Sequence, residues 1–171
     1  WSSYCLSPAA LFNPGVMRSP ADGGWQDPWT MGGAFRTPTF GQARFASLKT
    51  HMLEHHWLQN REARCNPRIG MGWYDGCDPY YFNQSAQSTP VALFFDGHVQ
   101  LVGVRQAVQA DLRVQGQTGS TINGLWSRDT PFGAFGYFGE YSYAGAQTPE
   151  TTSFHILTTD GIRGRDVLGD R

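Results

Sequence analysis

Thr89-Pro90-Val91-Ala92-Leu93-Phe94-Phe95-Asp96-Gly97-His98-Val99-Gln100-Leu101-Val102 sets a β-prone apolar run on each side of an Asp-Gly pair. Two such runs joined by Asp-Gly predict a β-hairpin, with Asp96 and Gly97 as the central residues of a type I′ turn, because both positions of that turn need positive φ. The hairpin puts an antiparallel sheet at the centre of the fold and assigns no chemistry by itself.

Working outward, Val104, Ala107, Val108 and Leu112 fall at helical spacing and predict a short helix over 104–112. A second helix is predicted from Ser47 to about Gln59, with Ser47 as N-cap, Leu48, Met52, Leu53 and Trp57 near one face, and no Gly or Pro inside. Residues 1–46 carry Pro8, Pro14, Pro20, Pro28 and Pro38, which forbid a long helix and predict loops and short strands wrapped on a core. The stretches 61–83 and 115–145 read as loops, the latter rich in glycine and aromatics, and Ser153 to Leu157 reads as a strand. The expected architecture is a single α+β domain over 1–171, an antiparallel sheet with short helices and long Gly-, Pro- and aromatic-rich loops, for which 171 residues suffice.

Phe94-Phe95-Asp96-Gly97-His98-Val99 resembles the C-terminal element of bacterial prepilin-type proteins, pilin-like and pseudopilin-like, that carry a His, nine intervening residues and Asp-Gly. Trp1-Ser2-Ser3-Tyr4-Cys5-Leu6-Ser7 near the start and Ser153 to Asp166 near the end add to the likeness. The chain departs from the pattern at Ala86, where the family has its His; Asn83 and Gln84 lie close by. The resemblance implies a pilin-like fold and a structural subunit of an exported, cell-surface or extracellular filament of the protein-secretion type. Such a subunit works by self-assembly with like copies. It also implies a hydrophobic N-terminal helix ahead of Trp1, which would be the only contact with a membrane, and a C-terminal loop that calcium can stabilise, with Asp160, Asp166 and Asp170 as the oxygen donors.

Composition is compatible with that role. A net charge of −1 gives no electrostatic reason to bind nucleic acid. No apolar run approaches the about 18 residues of a membrane span. Lys49 is the only lysine among 13 lysines and arginines. A surface whose cations are arginines suits fixed, bidentate subunit contacts, although codon usage explains the bias equally well. Cys65 and Cys77 bracket a Pro- and Gly-containing loop that a disulfide would close, and Cys5 is left over; three free thiols are the alternative.

The sharpest enzymatic pattern is His51-Met52-Leu53-Glu54-His55, a His-x-x-Glu-His run. On a helix it would set His51 and His55 one turn apart as zinc ligands and leave Glu54 as a general base toward metal-bound water, with Glu140 as a distant third ligand. A zinc hydrolase is therefore the alternative function, and an exposed polar helix face accounts for the same residues without a metal. Asp160 and Asp166 are interleaved with Arg163 and Arg165, so a self-paired turn competes with the calcium reading. His98 and His155 read as structural histidines in strands.

Overall fold

A computed structural model describes residues 4–54, 88–121, 123–127 and 154–169. Its centre is a four-stranded antiparallel sheet in which β1 (Tyr4–Leu6), β2 (Thr50–Glu54), β3 (Val91–Phe94) and β4 (Val99–Leu101) lie side by side in chain order. Helix α1 (Val104–Thr118) follows β4 directly, and short 3-10 turns occupy Pro8–Ala10, Pro20–Asp22, Phe40–Gln42 and Gly161–Arg163. The sequence expectation of an antiparallel sheet with helical and loop-rich surroundings holds at this level.

The hairpin forms where expected, but with a different turn. Gly97 N donates to Phe94 O at 3.0 Å and Phe94 N donates to His98 O at 2.9 Å, so three residues, 95–97, close the loop. Only Gly97 takes positive φ, at 92°, and Asp96 does not. This is the three-residue loop in which a type I turn ends on a left-handed glycine, which adds one residue to the strand. The Asp-Gly signal survives because the glycine alone supplies the left-handed position.

The helix expected over Ser47 to Gln59 is not formed in its described part: Thr50–Glu54 is β2, a central strand. Its partners decide the matter. Leu53 pairs with Cys5 on one side and Ala92 on the other, a slot in which β2 gains ladder bonds from two neighbours that a lone helix turn cannot match. The ladder slips between Thr50 and Met52, leaving His51 at a bulge. Residues 55–59 of the expected helix lie outside the described residues.

Register sorts side chains onto two faces. Cys5, Leu53 and Ala92 align on one face, with Phe94 opposite Thr50 beside them. Leu53, Ala92 and Phe94 are buried in a core completed by Ala107 of α1, Trp126, Phe154, Leu157 and Ile162. On the other face Leu6, Met52, Leu93 and Val99 form one cross-strand row, and Tyr4, Glu54, Val91 and Leu101 form the next.

Helix α1 runs past the expected end at Leu112 and stops at Gly119, which takes the left-handed C-terminal position at φ 71°. Its buried face also differs from the expected one. Leu112 is exposed, whereas Asp111 is fully buried and accepts hydrogen bonds from Leu125 N at 2.7 Å and Trp126 N at 3.3 Å. A Cβ at Gly124 would collide with the same carboxylate. Asp111 thus fastens α1 to the 124–126 segment that delivers Trp126 to the core. Asp111→Ala should cost about 2–3 kcal/mol in urea unfolding, because it strands buried N–H donors, while Leu112→Ala should stay within about 0.5 kcal/mol.

The C-terminal stretch expected as a strand over Ser153 to Leu157 is turn structure in its described part, and only Thr158 makes a bridge, to Trp126.

Candidate functional site

Side chains from three distant parts of the chain converge under the sheet. Lys49 Nζ contacts Asp166 Oδ2 at 2.7 Å, Ser7 Oγ at 2.9 Å, Thr158 Oγ1 at 2.9 Å and Thr50 O at 3.2 Å. Asp166 Oδ2 also accepts from Thr50 N at 2.9 Å and Thr50 Oγ1 at 2.5 Å, and its Oδ1 accepts from Thr158 Oγ1 at 2.5 Å. Ser7, Lys49, Thr50, His155, Thr158 and Asp166 are all buried to 0% exposure. Position follows from the fold: Ser7 directly follows β1, Lys49 directly precedes β2 and Thr50 opens it, and Leu48 O receives Asp166 N at 2.9 Å, which docks the C-terminal segment on the start of β2.

His155 completes the clasp. Its Nδ1 lies 2.7 Å from Thr50 Oγ1, its Nε2 3.2 Å from Cys5 O, and its own carbonyl accepts from Ser7 Oγ at 3.2 Å. The Thr50 hydroxyl proton goes to Asp166, so the one N–H of a neutral His155 ring serves either Thr50 Oγ1 from Nδ1 or Cys5 O from Nε2, but not both. His155 also holds a left-handed backbone at φ 69°, a conformation costing a non-glycine residue of order 1 kcal/mol and retained here by its ring contacts and by the bond from Ser7 Oγ to its carbonyl.

Burial governs the protonation states. It pushes the His155 imidazole down to about 3, aided by the nearby Lys49 ammonium and opposed by Asp166. Burial would raise Asp166, but Lys49, His155 and the hydrogen bonds from Lys49 and Thr158 outweigh it and hold the carboxyl below its ordinary value. Burial draws Lys49 down from its ordinary value, while the ion pair with Asp166 opposes the loss of its proton. The cluster is therefore an ammonium and a carboxylate in direct contact, with neutral hydroxyls and imidazole around them.

What this arrangement does chemically is hold. Ser7 Oγ at 2.9 Å from Lys49 Nζ has the spacing of a serine–lysine nucleophile pair. A base must carry a free lone pair, however, and this amine is committed to a carboxylate. Both groups are also closed to solvent. The groove of about 1100 Å³ beside β4 and α1 is lined by none of the six clasp residues. The clasp ties β1, β2 and the C-terminal segment into one unit, joining residues up to 159 positions apart (Ser7 to Asp166) through Lys49.

The other sequence candidates fall elsewhere. Strand β2 replaces the helix that the zinc reading required. His51 packs its ring against Phe95 at 4.7 Å and Phe40 at 5.4 Å, while Glu54 accepts from Val91 N at 3.1 Å. Spaced three apart on a strand, the two do not share a face as they would on a helix. His55, Glu140, Cys65 and Cys77 lie outside the described residues, as does Asp170. Of the calcium candidates, Asp166 turns inward to Lys49, while Asp160 sits in the preceding left-handed turn at φ 64°. Among the described residues no group of three His, Cys, Asp or Glu converges as metal ligands. In the hairpin element, Phe94 and Phe95 are buried and Val99 is exposed; His98 stacks on Phe94 at 4.2 Å and contacts Asp96 at 2.6 Å. Cys5 is a free thiol, pushed up to about 12 by burial, and so is unreactive.

The sequence carried one overlooked cue to the clasp: a chain that uses arginine everywhere else keeps one lysine, and that lysine is the buried one.

Comparison of the chain with protein-family models, curated proteins and solved structures gives no match.

Proposed function

We propose that this chain is the globular part of an exported, pilin-like structural subunit that acts by self-assembly. The observation that carries the reading is where large apolar side chains lie. Val99 and Leu101 are 61% and 57% exposed on β4, and half-exposed Tyr4 lies at the opposite edge of the same face, on β1. Trp29 and Phe35, 5.2 Å apart, are 68% and 54% exposed on the proline-rich loops. Aromatic and aliphatic surface grouped in this way is the composition of an interface core. Lys49, His155 and Asp166 meanwhile turn inward to the clasp. The resemblance around Asp96-Gly97 supports the same reading.

The experiment is static light scattering and electron microscopy at rising protein concentration, with Trp29→Ser, Phe35→Ser as the paired variant. Assembly of the parent chain is expected, with at least a tenfold weakening in the double variant, the loss of about 1.4 kcal/mol per contact. A parent that stays monomeric throughout would overturn the reading.

A further inference from the structure

We infer that the free edge of β4 is a two-fold contact with a second copy of this chain, centred on Gln100. The inference rests on the self-assembly reading and specifies one surface for it.

The ladder dictates the geometry. Phe94 N donates to His98 O, and Val102 N donates to Pro90 O at 3.0 Å, so the pairs 94/98 and 90/102 are hydrogen-bonded. Alternation makes 92/100 the next hydrogen-bonded pair and turns the N–H and C=O groups of Val99 and Leu101 away from β3. Among the described residues nothing takes up those groups. The edge also lacks the usual protection, since Val99-Gln100-Leu101 contains no charge and no proline, and all three residues are exposed.

Such an edge is complementary to itself. If two β4 strands pair antiparallel about Gln100, Val99 of each copy meets Leu101 of the other in a reciprocal hydrogen-bonded pair. Their apolar side chains then adjoin on the outer face. Gln100 faces the partner's Gln100 in the close, non-hydrogen-bonded pair, and its amide can bond its counterpart. Both sides of β4 have room, because Val99 and Leu101 are exposed on one and the groove beside Gln100, Gln106 and Ala110 gives clearance on the other.

Charge favours the same orientation. Helix α1 begins with no side-chain cap and no acidic residue in its first turn, and Arg105 is exposed there. Antiparallel pairing carries the Asp96 turn of each copy toward this positive end of the other, which is the favourable sign for a carboxylate at a helix N-terminus. A two-fold contact closes on itself, so it makes pairs, and the Trp29 and Phe35 patch joins pairs into larger assemblies.

Gln100→Cys tests the register, because cross-strand Cβ atoms in a close pair lie within reach of a disulfide. Under oxidised glutathione, Gln100→Cys should form a covalent dimer at least tenfold faster than Thr37→Cys, an exposed loop control. Mass spectrometry should place the bond between the two introduced thiols, and the parent chain should show no such product. Val99→Lys should weaken pairing at least tenfold in sedimentation velocity while leaving the melting curve unchanged. If the parent assembles but Gln100→Cys cross-links no faster than Thr37→Cys, the β4 contact is wrong and self-assembly stands. A parent that remains monomeric overturns both.

Discussion

Asp166→Ala should destabilise the chain by about 3–5 kcal/mol, a large fraction of the about 5–15 kcal/mol typical of a domain, because it leaves Lys49 charged, buried and without its counter-ion. The loss reaches further than one ion pair, since Thr50 N, the Thr50 hydroxyl and the Thr158 hydroxyl all donate to the same carboxylate. Asp166→Asn keeps the shape but not the charge and should fall between the parent and Asp166→Ala. Replacing both partners, Lys49→Met with Asp166→Leu, should cost less than Asp166→Ala alone, because an apolar pair needs no compensation for desolvated charge. Denaturant unfolding of the four chains closes the comparison. If Asp166→Ala stays within about 1 kcal/mol of the parent, the clasp does not hold the fold together.

The second large effect is on acid stability. His155 has a folded value of about 3 against an ordinary 6.5. Between those values the unfolded chain binds a proton that the folded chain refuses, so stability falls as pH falls through that window, by up to roughly 5 kcal/mol across its full width. Asp166, held below its ordinary value of 3.8, adds a loss of the same sign at still lower pH, where its carboxylate takes up a proton. Half-buried His51, also lowered by burial and by Lys49, acts in the same direction. Unfolding free energies at pH 7, 5 and 4 should show the decline. His155→Gln, which cannot take up the proton, should start lower at pH 7 and flatten the slope by about one proton. A parent equally stable at pH 7 and pH 4 would contradict the burial of a neutral imidazole.

Local signals carried the parts of the fold that local physics decides. Asp96-Gly97 marked the hairpin because glycine supplies a left-handed residue, although tertiary pairing selected the three-residue turn over the two-residue one. Val104 and Ala107 marked the buried start of α1, but its end at Gly119 lies beyond Leu112, where the apolar spacing stops. The periodicity across Leu48, Met52 and Leu53 misled, since the same residues alternate well enough for a strand, and the slot between β1 and β3 settled the choice. Asp111 was illegible, because a carboxylate at a core position makes sense only once Leu125 and Trp126 present their N–H groups to it. The clasp was illegible for the same reason on a larger scale. Ser7, Lys49, His155 and Asp166 share no spacing, and only the folded chain brings them together.

The two halves of the account fit one molecule. Lys49, His155 and Asp166 are spent inside, fastening β1 and the C-terminal segment to β2, while the β4 edge and the loop aromatics Trp29 and Phe35 are exposed and are proposed as the contact surfaces. The most direct measurement is sedimentation velocity of the parent chain over a hundredfold range of concentration. The account predicts a mass that rises with concentration, through dimers to larger species. A single monomer boundary across the whole range would contradict it.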